Sequence, residues 1–150
     1  MAKINFMYAI LKTIHGQLPF LLLAALSVAV VIFSLKLIQK GPFAKADKSL
    51  ALITLIFTHV QLLLGIILYF VSPLVKEALN SGEMMSNAAH RFNAIEHGLT
   101  MIFAIVLITA GYSKSKKKTE DAAKFKTLVI FYGLGLILAL SRIPWNTWLS

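Results

Sequence analysis

Four long apolar stretches alternate with short polar segments along this chain of 150 residues. The apolar stretches span residues 18–35, 50–71, 94–112 and 127–140. A helix needs about 20 predominantly apolar residues to cross the hydrocarbon of a bilayer, and the last stretch reaches that length only with residues from its flanks. The pattern predicts one domain with four membrane helices, over about 18–38, 50–71, 91–112 and 125–142.

The composition supports a membrane location for the whole chain. Hydrophobic residues make up 58% of the sequence, charged residues make up 14%, and the mean hydropathy is +0.78. These values lie far from the balance of a soluble domain. The connecting segments are too short for a separate soluble domain, and short hairpins favour an up-and-down arrangement. We therefore predict an all-α, integral membrane four-helix bundle whose function lies inside the bundle or at its rims.

The first apolar stretch follows Lys3 and Lys12, as the apolar region of a signal peptide does. However, Ser34-Leu35-Lys36 offers no cleavage site of small residues, and the run is longer than such a region normally is. We therefore expect a first membrane helix here. The sequence contains no cysteine, which excludes disulfides, thiolate metal sites and cysteine nucleophiles.

The positive charge is unevenly distributed along the chain, whose formal net charge is +9. If the helices alternate in direction, ten of the 15 basic residues lie on one side of the membrane. These ten are Lys36, Lys40, Lys45, Lys48, Lys114, Lys116, Lys117, Lys118, Lys124 and Lys126. The asymmetry predicts cytoplasmic lysine-rich loops and two periplasmic termini, with Trp145 and Trp148 in an interfacial aromatic belt. It favours contact with anionic lipid headgroups over nucleic acid.

Each predicted helix carries a stripe of small or polar residues at helical spacing. Such stripes are typical of the inward faces of packed membrane helices, and they also leave room for a flat cofactor. The four stripes are Ala24, Ser27, Val31 and Ser34; Thr54, Thr58, Gln61 and Gly65; Asn93, His97, Thr100, Ala104 and Gly111; and Tyr132, Gly135, Ala139 and Arg142.

Several ionisable residues fall within the predicted membrane region. At about 1.5 Å of rise per residue, His59 lies near the midplane, while His97 and Arg142 lie at matching heights in its outer part. His15 lies at or slightly beyond the outer boundary. Hydrocarbon penalises such groups, so each is a functional hypothesis, and the alternative is a hydrogen bond to a neighbouring helix.

The sequence lacks the motifs of most metal sites and hydrolases. The sequence contains no HExxH motif, and His90 and His97 are about 10.5 Å apart along a helix axis, too far to ligate one ion without a break in the helix. A zinc or copper site would need three histidines from different helices, which no motif supports. Serine hydrolase and phosphate-loop patterns are also missing, so a hydrolase is not expected. We interpret His90 as an interfacial residue.

Haem requires less local spacing, because two imidazoles on separate helices can ligate its iron from opposite faces. In an up-and-down bundle the first and third helices lie on a diagonal, so His15 and His97 are the first choice of axial ligands. His59 with His97 is the fallback. A straight first helix turns His15 about 180° from Ala24, so the first choice predicts a bend near Gly16 to Pro19.

The charged residues near the outer rim are then candidates for binding the haem propionates. Arg91 and Arg142 lie where haem propionates would emerge, and a guanidinium binds a carboxylate in a bidentate manner. Glu96 is expected to pair with one of these arginines or to orient a ligating imidazole.

Three segments, "FTHVQLLLGIILYFVSP", "RFNAIEHGLTMIFAIVLITAGYSKSKKKTEDAAKFKT" and "RIPW", resemble a family of small bacterial four-helix membrane proteins commonly labelled "cytochrome B". The resemblance covers most of the chain from Lys45 to Trp145. It implies a haem-b protein of the bacterial inner membrane, with His59 and His97 inside the matching stretches. In "IHGQLP" the chain matches the family at His15 and Gly16 but has Leu18-Pro19 where the family has a basic residue.

These observations predict a b-type cytochrome-like protein that binds haem b between helices. It would transfer electrons in or beside a respiratory complex, with a quinol as a candidate donor. The first alternative is a cofactor-free accessory or assembly subunit of a membrane complex. The second is a proton-linked carrier with His59, Glu96 and His97 as its relay, for which a homodimer would supply the additional helices that transport folds use.

Overall fold

The computed structural model describes residues 2–145, with side chains from residue 6 onward. Trp148 therefore lies outside the described residues. The elements in chain order are α1 (Ala2–Ile38), α2 (Lys45–Val71), α3 (Pro73–Asn80), α4 (Ala88–Arg91), a π-helical segment (Phe92–Glu96), α5 (His97–Ser115) and α6 (Asp121–Ser141). The all-α class predicted from the sequence is confirmed.

Four helical rods form the bundle, and each is long and apolar enough to cross a membrane. The third rod combines α4, the π-helical segment and α5. In the bundle α1 packs against α2 and α6, and α5 packs against α2 and α6. This closed ring leaves α1 and α5 on one diagonal and α2 and α6 on the other, as the up-and-down arrangement predicts.

The first helix begins much earlier than the hydropathy of the chain predicts. It starts at Ala2 and continues through Pro19, whereas the apolar pattern placed its start near residue 18. Hydropathy marks the segment that suits hydrocarbon, but helix formation does not require an apolar side chain, so the helix extends into the more polar residues before it. The third rod begins after Asn87, whose side-chain Oδ1 accepts hydrogen bonds from the N–H groups of Ala89 and His90 at 2.9 and 3.2 Å.

The hydrophobic core lies in the half of the bundle next to the two lysine-rich loops, which we call the lysine end. Its fully buried members come from four helices: Leu26, Ala29, Phe33, Ala51, Ile108, Phe125, Leu128 and Tyr132. The ring of Phe33 packs against Phe125 and Tyr132 with centroids 6.0 and 6.2 Å apart. The Tyr132 hydroxyl donates a hydrogen bond to the carbonyl of Ala51 on the opposite helix at 2.9 Å.

The stripe predicted for the inward face of the first helix is wrong. Ala24, Ser27 and Val31 are exposed on the outside of the bundle, and the buried face carries Leu26 and Phe33 instead. Lipid tails are as apolar as a protein core, so hydropathy alone does not distinguish the lipid-facing side of a membrane helix from its buried side. On the other three bundle helices the predicted stripes do face the interior, except for Arg142 at the end of the last one.

Two local features close the lysine end. The Lys36 ammonium at the end of α1 contacts both carboxylate oxygens of Asp47 in α2, at 2.6 and 2.8 Å. The same carboxylate accepts a hydrogen bond from the N–H of Ala44 at 2.8 Å, which caps the start of α2. The ring of Phe43 from the first loop packs on Phe125 at 5.0 Å, so the two lysine-rich loops lie at the same end.

Candidate functional site

His15 and His97 approach each other across the diagonal of the bundle, at the end opposite the lysine-rich loops. Their ring centroids are 6.2 Å apart, and the ring planes meet at 76°. We call this region the histidine end. The His15 side chain points inward because residues 26 and 33 follow it by 11 and 18 positions, about 20° and 0° around a helix. The bend predicted near Gly16 to Pro19 is therefore not needed, because that prediction relied on the wrong face of α1.

A proline determines the surroundings of His15. Pro19 has no N–H, so it cannot donate the hydrogen bond that the carbonyl of His15 would receive in a regular helix. Neighbouring helices can satisfy a carbonyl freed in this way, and here the Gln61 side-chain Nε2 donates to it at 2.9 Å. The same Nε2 lies 3.1 Å from Nδ1 of the His15 ring.

Gly65 lets the His15 ring approach α2 closely. A Cβ atom at this position would lie 3.1 Å from Cε1 of the ring, tighter than an ordinary contact. The small residue is therefore needed for the ring to lie between α1 and α2.

The ring of His97 is fixed by the main chain of the next helix. Its Nδ1 lies 2.9 Å from the carbonyl oxygen of Arg142, at the end of α6. A carbonyl only accepts, so Nδ1 carries the proton, and in the neutral ring Nε2 is a free lone pair. Within residues 2–145, hydrogen bonds reach Nδ1 of both His15 and His97 and neither Nε2 atom.

Three charged residues form a cluster beside His97. The Glu96 carboxylate contacts Nε of Arg91 at 2.6 Å and lies 3.9 Å from Nε of Arg142. Arg91 also donates from Nη1 to the carbonyl of Met85 at 2.7 Å. Of the two roles considered for Glu96, the structure therefore has it between the arginines, while the carbonyl of Arg142 orients the imidazole.

The structure gives the other two histidines no ring contact with His15 or His97 among the described side chains. His59 is exposed in the middle of α2, where its Nδ1–H donates to the carbonyl of Leu55 at 2.9 Å. It lines an apolar groove of about 440 Å³ between α2 and α5. Among the described side chains, His59 and His97 make no ring contact, so the fallback pair is not brought together. Nδ1 of His90 is buried without a hydrogen-bond partner in the described part of the chain.

The sequence predicts that Gln61 lies on an inward stripe but predicts no role for it. The local sequence contained one usable indication: Pro19 lies four positions after His15, so the carbonyl of a candidate ligand is freed. A carbonyl freed inside a membrane bundle requires a donor from a neighbouring helix, and the inward polar residues of α2 were the candidates.

The two imidazoles come from separate helices, with ring centroids 6.2 Å apart. Two such rings could hold a haem iron between them. No group of three His, Asp or Glu side chains placed to hold a metal ion occurs in the described residues.

Together, the fold and this cluster define a multi-pass four-helix membrane protein with a polar cluster at one end of the bundle. Comparisons with protein-family models, with curated proteins and with solved structures each find no match for this chain. The resemblance to proteins labelled "cytochrome B" therefore stays a prediction.

Proposed function

We propose that this protein is a b-type cytochrome-like electron carrier that binds one haem b between His15 and His97. The observation that supports the proposal most strongly is the convergence of these two rings from diagonal helices at a centroid distance of 6.2 Å. Bis-histidine ligation of haem iron requires two such imidazoles on separate helices and no local sequence motif.

The donor set of the site fits this cofactor. His97 presents a free Nε2 lone pair, and its Nδ1–H is held by the carbonyl of Arg142, the outer-shell partner typical of a metal-bound histidine. His15 is held on α2 through Gln61 and lies against Gly65. In the proposal His97 and His15 would hold the haem iron.

The charged cluster next to His97 places two guanidinium groups at one side of the site. Arg91 and Arg142 flank Glu96 at the histidine end, and their guanidinium groups would hold the two propionates. Glu96 keeps these guanidinium groups near one another before a ligand arrives. Bound haem supplies one-electron redox chemistry, while the protein supplies orientation, hydrogen bonds and exclusion of water.

The proposed setting is the bacterial inner membrane, with the lysine-rich loops in the cytoplasm and the histidine end toward the periplasm. The lysine loops share one end of the bundle, and the positive-inside rule assigns such an end to the cytoplasm. The electron donor in this proposal is a quinol or a subunit of a respiratory complex.

An absorption spectrum of the detergent-purified protein tests the proposal. The protein is produced in cells supplied with a haem precursor and measured before and after dithionite reduction. We expect a sharpened, red-shifted Soret band with resolved α and β bands, and we expect His97→Ala to lose the bound haem. His59→Ala is the matched control and should keep the full spectrum, because His59 lies outside the cluster.

Two results would count against the proposal. Full haem content in both His97→Ala and His15→Ala would exclude these residues as ligands. A flat visible spectrum from folded wild-type protein would instead favour the cofactor-free accessory or assembly subunit, which should then copurify with its partners.

A further inference from the structure

We infer that Gln61 is a positioning residue that determines whether His15 can act as a haem ligand. The inference rests on the proposed function and concerns the carboxamide of Gln61, the carbonyl of His15 and the His15 ring. It follows from an imbalance in the hydrogen bonds of this side chain.

The Gln61 carboxamide uses its donors and leaves its acceptor unused. Its Nε2 contacts the His15 carbonyl at 2.9 Å and His15 Nδ1 at 3.1 Å. Its Oε1 is buried and has no hydrogen-bond partner in the described residues. A buried polar atom without a partner costs about 1–3 kcal/mol, so it needs a structural reason. The carbonyl fixes the orientation of the amide, because only the NH₂ group can donate to it.

This orientation gives His15 the wrong tautomer for ligation through Nε2. An NH₂ group that donates to Nδ1 requires a lone pair there, so the proton of the neutral ring is on Nε2. A ring that binds a metal through Nε2 must carry its proton on Nδ1 and needs an acceptor for it. The unpartnered Oε1 of Gln61 is that acceptor.

Rotation of the Gln61 carboxamide then gives each of these polar groups a hydrogen-bond partner. If the NH₂ stays on the carbonyl of His15 while Oε1 moves to Nδ1–H, the carbonyl, the ring and the amide all have partners. His97 needs no such change, because Arg142 already accepts from its Nδ1–H. His97 is therefore set in advance as a ligand, and His15 becomes one when Gln61 turns.

Substitution of Gln61 tests this inference through the spin state of the haem. Gln61→Leu removes the acceptor, and we expect a shift from a low-spin to a high-spin ferric spectrum and about tenfold weaker haem binding. Gln61→Glu restores an acceptor for Nδ1–H and should keep the low-spin spectrum. Gln17→Leu is the matched control. This glutamine lies two residues after His15 but is exposed, so its substitution should leave the spectrum unchanged.

A second measurement is made on the haem-free protein and separates this inference from the proposed function. Nitrogen NMR of the neutral histidines should find the proton of His15 on Nε2 and that of His97 on Nδ1. A proton on Nδ1 of His15 would overturn the inference, whether or not haem binds. An unchanged low-spin spectrum in Gln61→Leu would also overturn it, whereas a wild-type protein that binds no haem would overturn the proposed function.

Discussion

The two ends of the bundle are held together by different interactions. At the lysine end, large side chains such as Phe33, Phe125 and Tyr132 are fully buried and fill the space between the helices. At the histidine end, His15 and His97 are only partly buried, and hydrogen bonds to main-chain carbonyls join the helices. Polar groups are costly within a membrane, so those at the histidine end are a hypothesis for a binding site, while their bonds between helices also contribute to packing.

This difference implies a division of roles that substitutions can test. Changes at the lysine end should lower the free energy of unfolding, and changes at the histidine end should lower ligand binding with little effect on that free energy. The predictions below run from the largest expected loss of stability to the smallest.

Loss of the buried carboxylate at the lysine end should have the largest effect. Asp47 is 3% exposed and holds both Lys36 and the N–H of Ala44. Removal of one partner from a buried ion pair leaves the other charge uncompensated. Because Lys36 remains 32% exposed, water compensates part of this loss, and we expect Asp47→Ala to cost about 2–4 kcal/mol.

The measurement is the free energy of unfolding in mixed detergent micelles. Asp121→Ala is the matched control, because this aspartate pairs with Lys124 one helical turn away and is 41% exposed. Exposed pairs of this kind contribute about 0–1 kcal/mol. Equal losses in the two variants would show that the lysine end does not depend on its buried pair.

A methyl group at Gly135, where α6 lies close to α5, should have the second largest effect. A Cβ at Gly135 would lie 2.6 Å from Cγ1 of Ile108 and 3.1 Å from the carbonyl oxygen of Ala104. Because the backbone atom cannot move aside, the helices must separate, and we expect Gly135→Ala to cost about 1–3 kcal/mol.

Gly133 on the same helix provides the control, since a Cβ there meets nothing within 4 Å. Gly133→Ala should leave the unfolding midpoint unchanged or raise it, because alanine has the higher helix propensity. A similar loss of stability in both variants would show that the contacts of Gly135 with Ile108 and Ala104 do not determine the cost.

The tyrosine hydroxyl groups compare the two ends directly. Tyr132 donates to Ala51 at the fully buried lysine end, and Tyr69 donates to Ala94 at the half-buried histidine end. We expect Tyr132→Phe to cost about 1 kcal/mol and Tyr69→Phe about half of that, because Tyr69 is only partly buried and Tyr132 is fully buried. A larger cost for Tyr69→Phe in thermal unfolding would reverse the comparison.

The sequence predicts the bundle well and the faces of its helices less well. Length and hydropathy are enough for four membrane rods and for the diagonal of α1 and α5. The face of α1 could not be predicted in the same way, because lipid and core are both apolar and hydropathy does not distinguish them. The sequence therefore predicts Ala24 and Ser27 on the inward face of α1. In the structure that face carries Leu26 and Phe33 instead.

The sequence predicts which side chains form the candidate site, but it does not predict the hydrogen bonds that orient them. Depth along the helices was enough to pair His15 with His97, and the charged residues next to His97 were visible in "RFNAIEHGLT". The hydrogen bonds that orient the two rings involve the carbonyls of His15 and Arg142, which every residue type possesses. Such bonds leave no pattern in the sequence, apart from the missing N–H of Pro19.

Only a small loss of stability should come from His15→Ala, although His15 is a proposed ligand. His15→Ala removes a partly buried ring, but the Gln61 amide keeps its bond to the main-chain carbonyl of residue 15. Since the change breaks no buried ion pair and removes no fully buried side chain, we expect a cost below about 1 kcal/mol. Haem content should nevertheless fall strongly in the same preparation. Unfolding and absorption are therefore measured together, and a cost as large as that of Asp47→Ala would show that the histidine end is a structural element and not a binding site.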